Sequence, residues 1–252
     1  MTIYFVGAGP GDPELITVKA QKILLQTDCC IWAGSLVNPE LLKLLSEGAR
    51  VLDSAIMNLD EIVSVMVHEH RAGKTVARLH TGDPALYGAI GEQMDRLREQ
   101  NISFEIIPGV SAFQGAAASL QIELTRPELS QSVVLTRTEG RTPMPRLEQL
   151  ESFAATGATL CLYLSVNQIE KVVQRVLPAY GEDCPAAVVF KATWSEEKIL
   201  TGTLATIADQ TKASGIEKTA LIIIGRVITE TGVPSKLYDA GFSHEYRTGR
   251  KE

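Results

Sequence analysis

The chain has 252 residues, 45% of them hydrophobic and 21% charged, enough apolar material for one large α/β domain or two smaller ones. A net charge of −6 argues against a nucleic-acid binder with a broad basic face, though a local cluster can still attract an anionic small molecule. No apolar run approaches the ~18–20 residues of a membrane helix. Met1-Thr2 leads straight into Ile3-Tyr4-Phe5-Val6 without a basic flank, so no secretory leader is expected and the expected location is the cytoplasm. The cysteines, Cys29, Cys30, Cys161 and Cys184, form no C-x-x-C pair, which predicts buried free thiols and no metal site.

Along the chain, Ile3–Val6 reads as a strand and Pro13–Gln26 as a helix. Cys29–Ala33 follows as a strand, Pro39–Glu47 as a helix and Arg50–Leu52 as a short strand. A helix over Asn58–Arg71 carries Leu59, Ile62, Val63, Met66, Val67 and His70 at helical spacing. Thr75–Leu79 is a strand, then comes a helix bearing Tyr87, Ile90, Met94 and Leu97, then the strand Ser103–Ile107. Such alternation implies a largely parallel sheet covered on both faces. In the second half, Val133–Thr136, Thr159–Leu164, Ala186–Phe190, Lys198–Thr201 and Thr219–Ile224 read as strands, with helices near Val166–Leu177 and Leu204–Lys212. Ala186–Phe190 and Lys198–Thr201 leave no room for a crossover helix and should pair antiparallel, so a second, mixed α/β domain is expected. Composition alone places the break in the Arg137–Pro145 loop.

Three strand-to-helix loops carry the chemistry: Gly7-Ala8-Gly9-Pro10-Gly11-Asp12-Pro13, His80-Thr81-Gly82-Asp83-Pro84 and Pro108-Gly109-Val110-Ser111-Ala112. The first is not a dinucleotide fingerprint, because Asp12 stands where the third glycine belongs and would face a pyrophosphate with like charge. Asp83 and Ser111 taken singly could be helix caps. Together the loops gather beyond the carboxyl ends of one parallel sheet, where α/β proteins bind small ligands. A fourth segment, Leu135–Arg146, sets Arg137, Arg141 and Arg146 against Glu139; it reads as a polycarboxylate anchor or as a solvated loop. His68 and His70 lie two apart on a helix and do not share a face, so they form no metal pair.

These segments together resemble the tetrapyrrole methylase family. Gly7–Asp12 is similar to its glycine–proline loop, Gly82–Pro84 to its Gly-Asp-Pro turn and Pro108–Ala112 to its third loop, while Leu162-Tyr163-Leu164 with Asn167-Gln168 resembles its second-domain strand and helix. The likeness runs from residue 2 to about 232. Ala33–Val37, Thr136–Pro143 and the tail Ser235–Tyr238 resemble the branch of the family that methylates C11 of precorrin-4, or its cobalt form, on the way to cobalamin.

The resemblance implies two α/β domains over 1–120 and 121–234 with a tail over 235–252, and a donor site in the cleft between the domains. It also implies a homodimer acting on a tetrapyrrole, without nucleic acid or membrane. The implied donor is S-adenosyl-L-methionine, leaving as S-adenosyl-L-homocysteine. Its implied contacts are Pro10, Thr81, Gly82, Asp83, Leu86, Ser111, Ala112, Leu164, Ala192, Thr219 and Ala220. Arg137 and Arg141 are expected on the substrate carboxylates. Two departures are local: Thr81-Gly82-Asp83 stands where relatives often have Gly-Gly-Asp, and Lys191-Ala192-Thr193 where they often have Asn-Gly-Thr. A family member methylating another ring position (C2 and C7, C17 or C20), or diphthamide, would share the three loops but not the branch segments. A non-catalytic nucleotide-binding module is the remaining alternative, and no residue is assigned as the proton acceptor.

Overall fold

A computed structural model describes residues 2–140 and 142–249. The chain forms two compact units: residues 1–116 with Lys191–Glu197, and residues 117–190 with 198–252. In the first unit the elements are β1 (Ile3–Gly7), α1 (Val18–Leu24), β2 (Cys29–Trp32), β3 (Arg50–Asp53), α2 (Leu59–Arg71), β4 (Val76–His80), α3 (Gly91–Glu99) and β5 (Phe104–Ile107). Helix α4 (Ala112–Leu120) follows, and the division between the units falls within it.

The sheet order is β3-β2-β4-β1-β5, every pair parallel. Alternate residues point to opposite faces, so each strand feeds two cores. Ile3, Phe5, Cys29, Ile31 and Val76 pack with Ile62, Val63, Met66 and Val67 of α2 on one side. Val6, Cys30, Ala77 and Leu79 pack with Ala20 and Leu24 of α1 on the other. All four cysteines are buried free thiols, and burial pushes each above its ordinary value, Cys30 and Cys161 to about 12.

Helix α2 matches its sequence pattern closely, and its start is a capping box: Asn58 accepts from the Glu61 N–H while Glu61 accepts from the Asn58 N–H. Elsewhere helices are shorter than their apolar spacing suggests. The Pro13–Gln26 segment is a 3-10 turn (Pro13–Leu15) capped by Asp12, then α1 capped by the Thr17 hydroxyl, with Ile16 extended between them. Pro39–Leu44 is 3-10. Tyr87 lies before α3, because Tyr87 and Ala89 take left-handed backbone at φ 57° and 49°.

The second unit holds β6 (Val133–Arg137), α5 (Leu150–Ala154), β7 (Thr159–Tyr163), α6 (Ile169–Tyr180), β8 (Pro185–Phe190), β9 (Lys198–Thr203), α7 (Ile207–Ser214) and β10 (Ala220–Ile224). Its sheet, ordered β6-β7-β10-β8-β9, is mixed: β6 and β7 run parallel and the remaining pairs antiparallel, including the β8–β9 pair that joins Phe190 to Lys198. Leu160, Leu162, Val172, Val176, Val188, Ile222 and Ile224 form its core. Among the described residues no helix is long and apolar enough to cross a membrane.

The amino-terminal edge of the parallel sheet contains a charge the hydrophobic pattern hides. His70 ends the apolar stripe of α2 in sequence, yet the buried residue there is Glu69, at 2% exposure. Its carboxylate accepts from Lys74 Nζ at 2.7 Å and Arg50 Nη1 at 2.5 Å, and the Lys74 bond is the main cause of its lowered pKa. Such a carboxylate stabilises the fold above its unfolded pKa, and that contribution is lost as pH falls through the lower folded value. Both cations are about half exposed, so Glu69→Gln should destabilise the protein by about 1–2 kcal/mol at neutral pH. Urea unfolding at pH 7 and below pH 4 should show that difference shrinking in acid.

Candidate functional site

The carboxyl ends of β1, β4 and β5 open into the three loops singled out in the sequence, and the loops touch through their backbones. A Cβ on Gly109 would sit 2.2 Å from the Gly82 carbonyl oxygen and 2.9 Å from the Gly7 Cα. A Cβ on Gly7 would sit 2.6 Å from the Gly109 Cα. No side chain of any kind fits between these strands' ends. The Gly9 and Gly82 peptides exchange two hydrogen bonds, at 2.8 and 3.3 Å, while the Ala8 N–H donates to the His80 carbonyl at 2.8 Å.

Asp83 completes the junction. One carboxylate oxygen accepts from the Ala85 N–H at 2.8 Å, within its own loop, and the other from the Gly109 N–H at 2.9 Å, in the next loop. One side chain therefore closes its own loop's turn and ties it to the next loop; Asp83 caps no helix, because α3 begins only at Gly91. Gly82 lies 3.7–3.9 Å, measured from its ideal Cβ, from Val110, Ser111 and Ala112, so Thr81–Asp83 and Ser111–Ala112 are brought together as the sequence suggested. Leu86 donates its N–H to the Asp83 carbonyl and stays with them. Ala192 also meets the first loop in this unit: an ideal Cβ on Gly11, next to Pro10, would lie 2.8 Å from the Ala192 carbonyl oxygen.

Beneath the junction, β4 turns two polar side chains into an otherwise apolar face. Arg78 donates from Nε to Gln93 at 3.3 Å and from Nη1 to the Ile31 carbonyl at 3.2 Å, and burial lowers its pKa to about 10. His80, 4% exposed, lies with its ring centre 6.1 Å from that of Phe5, and its Nε2 has no hydrogen-bond partner. Burial, with the Arg78 charge second, holds its pKa down to about 3, so the imidazole is neutral at physiological pH.

In the second unit, Leu164, Thr219 and Ala220 also share one sheet end. The antiparallel register pairing Ile222 with Leu162 places Ala220 opposite Leu164 when continued by two residues. Leu164 and Thr219 both have left-handed backbone, φ 52° and 55°, and the Leu164 side chain is 70% exposed. Strain of this kind, about 1–3 kcal/mol per residue, persists where surrounding bonds over-determine it. Beside Leu164 those bonds are visible. The buried Ser165 hydroxyl accepts from the Thr138 N–H at 2.8 Å, lies 3.0 Å from the Thr138 hydroxyl and donates to the Tyr163 carbonyl at 2.7 Å; Gln168 donates to the Glu139 carbonyl at 3.0 Å.

Arg137 ends β6 beside Tyr163 of β7. Its Nη1 donates to the carbonyls of Thr138 at 3.2 Å and Thr142 at 3.1 Å, and its Nη2 to Pro143 at 3.3 Å. The guanidinium thus closes its own loop. Arg141 lies outside the described residues. Among the described residues, no group of three or more His, Cys, Asp or Glu is arranged to hold a metal ion.

Sequence reasoning missed Asn38, Thr193 and Trp194, each bonded to the Pro10–Asp12 backbone, and the Thr138–Ser165 hydroxyl pair. The separations of Thr193 and Trp194 from that loop, 181 and 184 residues, leave no local pattern to read. The one available signal was a tryptophan two positions after Ala192.

The family model "Tetrapyrrole (Corrin/Porphyrin) Methylases" matches residues 2–208. A cobalt-precorrin-4 C(11)-methyltransferase of Methanocaldococcus jannaschii is 52% identical over 252 residues, covering 99% of this chain and 97% of the relative. The solved structure of a cobalt-precorrin-4 methyltransferase superposes with a TM-score of 0.88 at 46% identity, covering 91% of this chain and 96% of the other. A uroporphyrin-III C-methyltransferase from Thermus thermophilus, solved in complex with S-adenosylhomocysteine, gives a TM-score of 0.76 at 25% identity, covering 91% and 94%.

The junction makes a direct stability prediction. Gly109→Ala forces a methyl against backbone that cannot swing aside and should destabilise by at least about 1–3 kcal/mol. Gly91→Ala, whose new Cβ meets nothing within 4 Å at the first turn of α3, should be neutral or slightly stabilising. Paired urea melts of the two variants measure the difference; equal midpoints would dissolve the claim that the loops are locked by contact.

Proposed function

The chain belongs to the tetrapyrrole methylase family, and from that premise we propose that it transfers one methyl group from S-adenosyl-L-methionine to C11 of precorrin-4, with or without cobalt. The observation that carries the proposal is the locked junction of the three loops, which forms a backbone-lined cradle at the sheet edge where α/β proteins bind ligands. The full-length likeness to C11-methyltransferases supports the substrate and the position.

When bound, the donor supplies an electrophilic sulfonium methyl. What the protein must add is alignment: holding methyl and acceptor carbon in line at about 3–3.5 Å accelerates such a transfer through proximity. Pro10, Thr81, Gly82, Asp83, Leu86, Ser111, Ala112 and Ala192 are the proposed donor contacts of the first unit, and Leu164, Thr219 and Ala220 those of the second. A rigid backbone cradle suits this task, because it cannot relax away from the aligned geometry. No histidine or cysteine among the described residues competes as a nucleophile at the junction, since His80 and the thiols are buried.

The Arg137 loop is proposed to hold the ring carboxylates, with Arg137 shaping the loop through its three carbonyl bonds and Arg141 belonging to the same loop. The enzyme is further proposed to work as a cytoplasmic homodimer, which sedimentation at micromolar concentration would test.

Two measurements bear on the reading. Carbon-13-labelled donor and product NMR should place a single label at C11; a label at C2, C7, C17 or C20 moves the chain to another branch, and no label on any tetrapyrrole leaves a binding module. Arg137→Ala should raise the tetrapyrrole KM about tenfold or more while donor affinity holds, in line with the loss of ordered charged hydrogen bonds. Loss of donor binding with substrate binding intact would instead remove the loop from the substrate side.

A further inference from the structure

The Lys191–Glu197 segment lies between β8 and β9 in sequence but packs as part of the first unit. There it ties down the glycine–proline loop group by group. The Trp194 indole N–H donates to the Pro10 carbonyl at 3.0 Å. The Thr193 hydroxyl accepts from the Asp12 N–H at 3.0 Å. Between them, Asn38 Nδ2 donates to the Gly11 carbonyl at 2.9 Å. Three consecutive residues of the loop thus have a backbone group held by a side chain from outside it.

This holding matters because of what the loop lacks. Proline has no N–H, so the carbonyl is the only main-chain hydrogen-bonding group Pro10 possesses. The peptide that follows leads into glycine, whose backbone is the least restricted of any residue. Left alone, the Pro10–Gly11 peptide plane would have little to fix its orientation. The indole supplies that fix at close quarters: a Cβ on Gly11 would fall 2.1 Å from Trp194 Cδ1, so the indole in this position requires glycine at 11.

The segment itself is held under strain. Lys191 and Thr193 flank Ala192 with φ of 46° and 68°. The Thr193 N–H donates to a Glu197 carboxylate oxygen at 2.6 Å, and Lys191 Nζ pairs with Glu196 at 2.8 Å while lying 4.9 Å from the centre of the Trp194 ring. A tryptophan needed only as apolar filling would not require this many bonds to set its angle.

We infer that Trp194 is a positioning residue for the methyl donor, acting through the Pro10 carbonyl to set the face of the loop that the donor meets. The inference rests on the donor reading of the loops above, and the experiment separates the two. Calorimetry with S-adenosylhomocysteine is performed first on the wild-type protein and then on Trp194→Phe, which keeps a ring but loses the hydrogen bond. The expected result is a Kd raised about five- to tenfold at a temperature where both ligand-free proteins are fully folded, with the tetrapyrrole KM unchanged. Gly11→Ala, which pushes the indole away from the opposite partner, should weaken binding in the same direction. Trp32→Phe leaves Trp194 as the one remaining tryptophan, and its emission should shift on adding the product. Wild-type protein that fails to bind would remove the donor reading itself. Wild-type binding with an unchanged Kd in Trp194→Phe, or with silent Trp194 emission at saturation, would overturn the role of Trp194 and leave the donor reading standing.

Discussion

Three chain segments leave three different strands and arrive at one point with no side chain between them. A single methyl added at Gly7 or Gly109 would overlap the backbone of the other and the Gly82 carbonyl, and Asp83 ties two of the segments together, one carboxylate oxygen on each. Everything else at the sheet edge depends on this contact. Because the strands are parallel neighbours in the order β4-β1-β5, their carboxyl ends are already side by side, and the junction needs only short excursions to close. A surface made of main-chain atoms is stiff, since it has no rotamers to lose or to relax. It presents peptide dipoles at fixed angles, which suits a reaction governed by the line between two atoms.

The second unit reaches rigidity by another route. At the ends of β7 and β10, Leu164 and Thr219 adopt conformations that side chains resist, and a buried hydroxyl pair, Thr138 with Ser165, together with Gln168, pins the neighbouring backbone. Buried polar groups that are fully paired make a fold specific, because any rearrangement leaves one of them without a partner. Arg137 applies the same logic to a longer loop, gathering three carbonyls around one guanidinium. Its positive charge is thereby held in place even before any anion arrives.

What could be read in the sequence was what is decided locally. The parallel character of the first sheet follows from strand–helix alternation, and the β8–β9 pairing from a connection too short for a crossover. The three loops announced themselves by glycine, proline and aspartate at strand ends. Strand order was not legible, because nothing local says that β1 lies between β4 and β5. The split of the first predicted helix depended on the Thr17 hydroxyl choosing to cap, which apolar spacing cannot report. The burial of Glu69 was not legible either, because only the arrival of Arg50 and Lys74 from outside the helix explains it. Trp194 was invisible for the same reason on a larger scale.

The place of Lys191–Glu197 in the chain also sets an order of events during synthesis. A ribosome delivers the parallel sheet and its three loops within the first 116 residues, so that core can collapse while the rest is still being made. The Pro10 carbonyl and the Asp12 N–H, however, must wait for partners encoded 184 and 181 positions later. A nascent chain can therefore hold a formed sheet edge with an unfinished first loop until the β8–β9 tip has left the exit tunnel. No single cut in the polypeptide separates the first unit with all its parts, and a fragment ending at residue 116 would carry the glycines of the site without the tryptophan that one of them was shaped to receive.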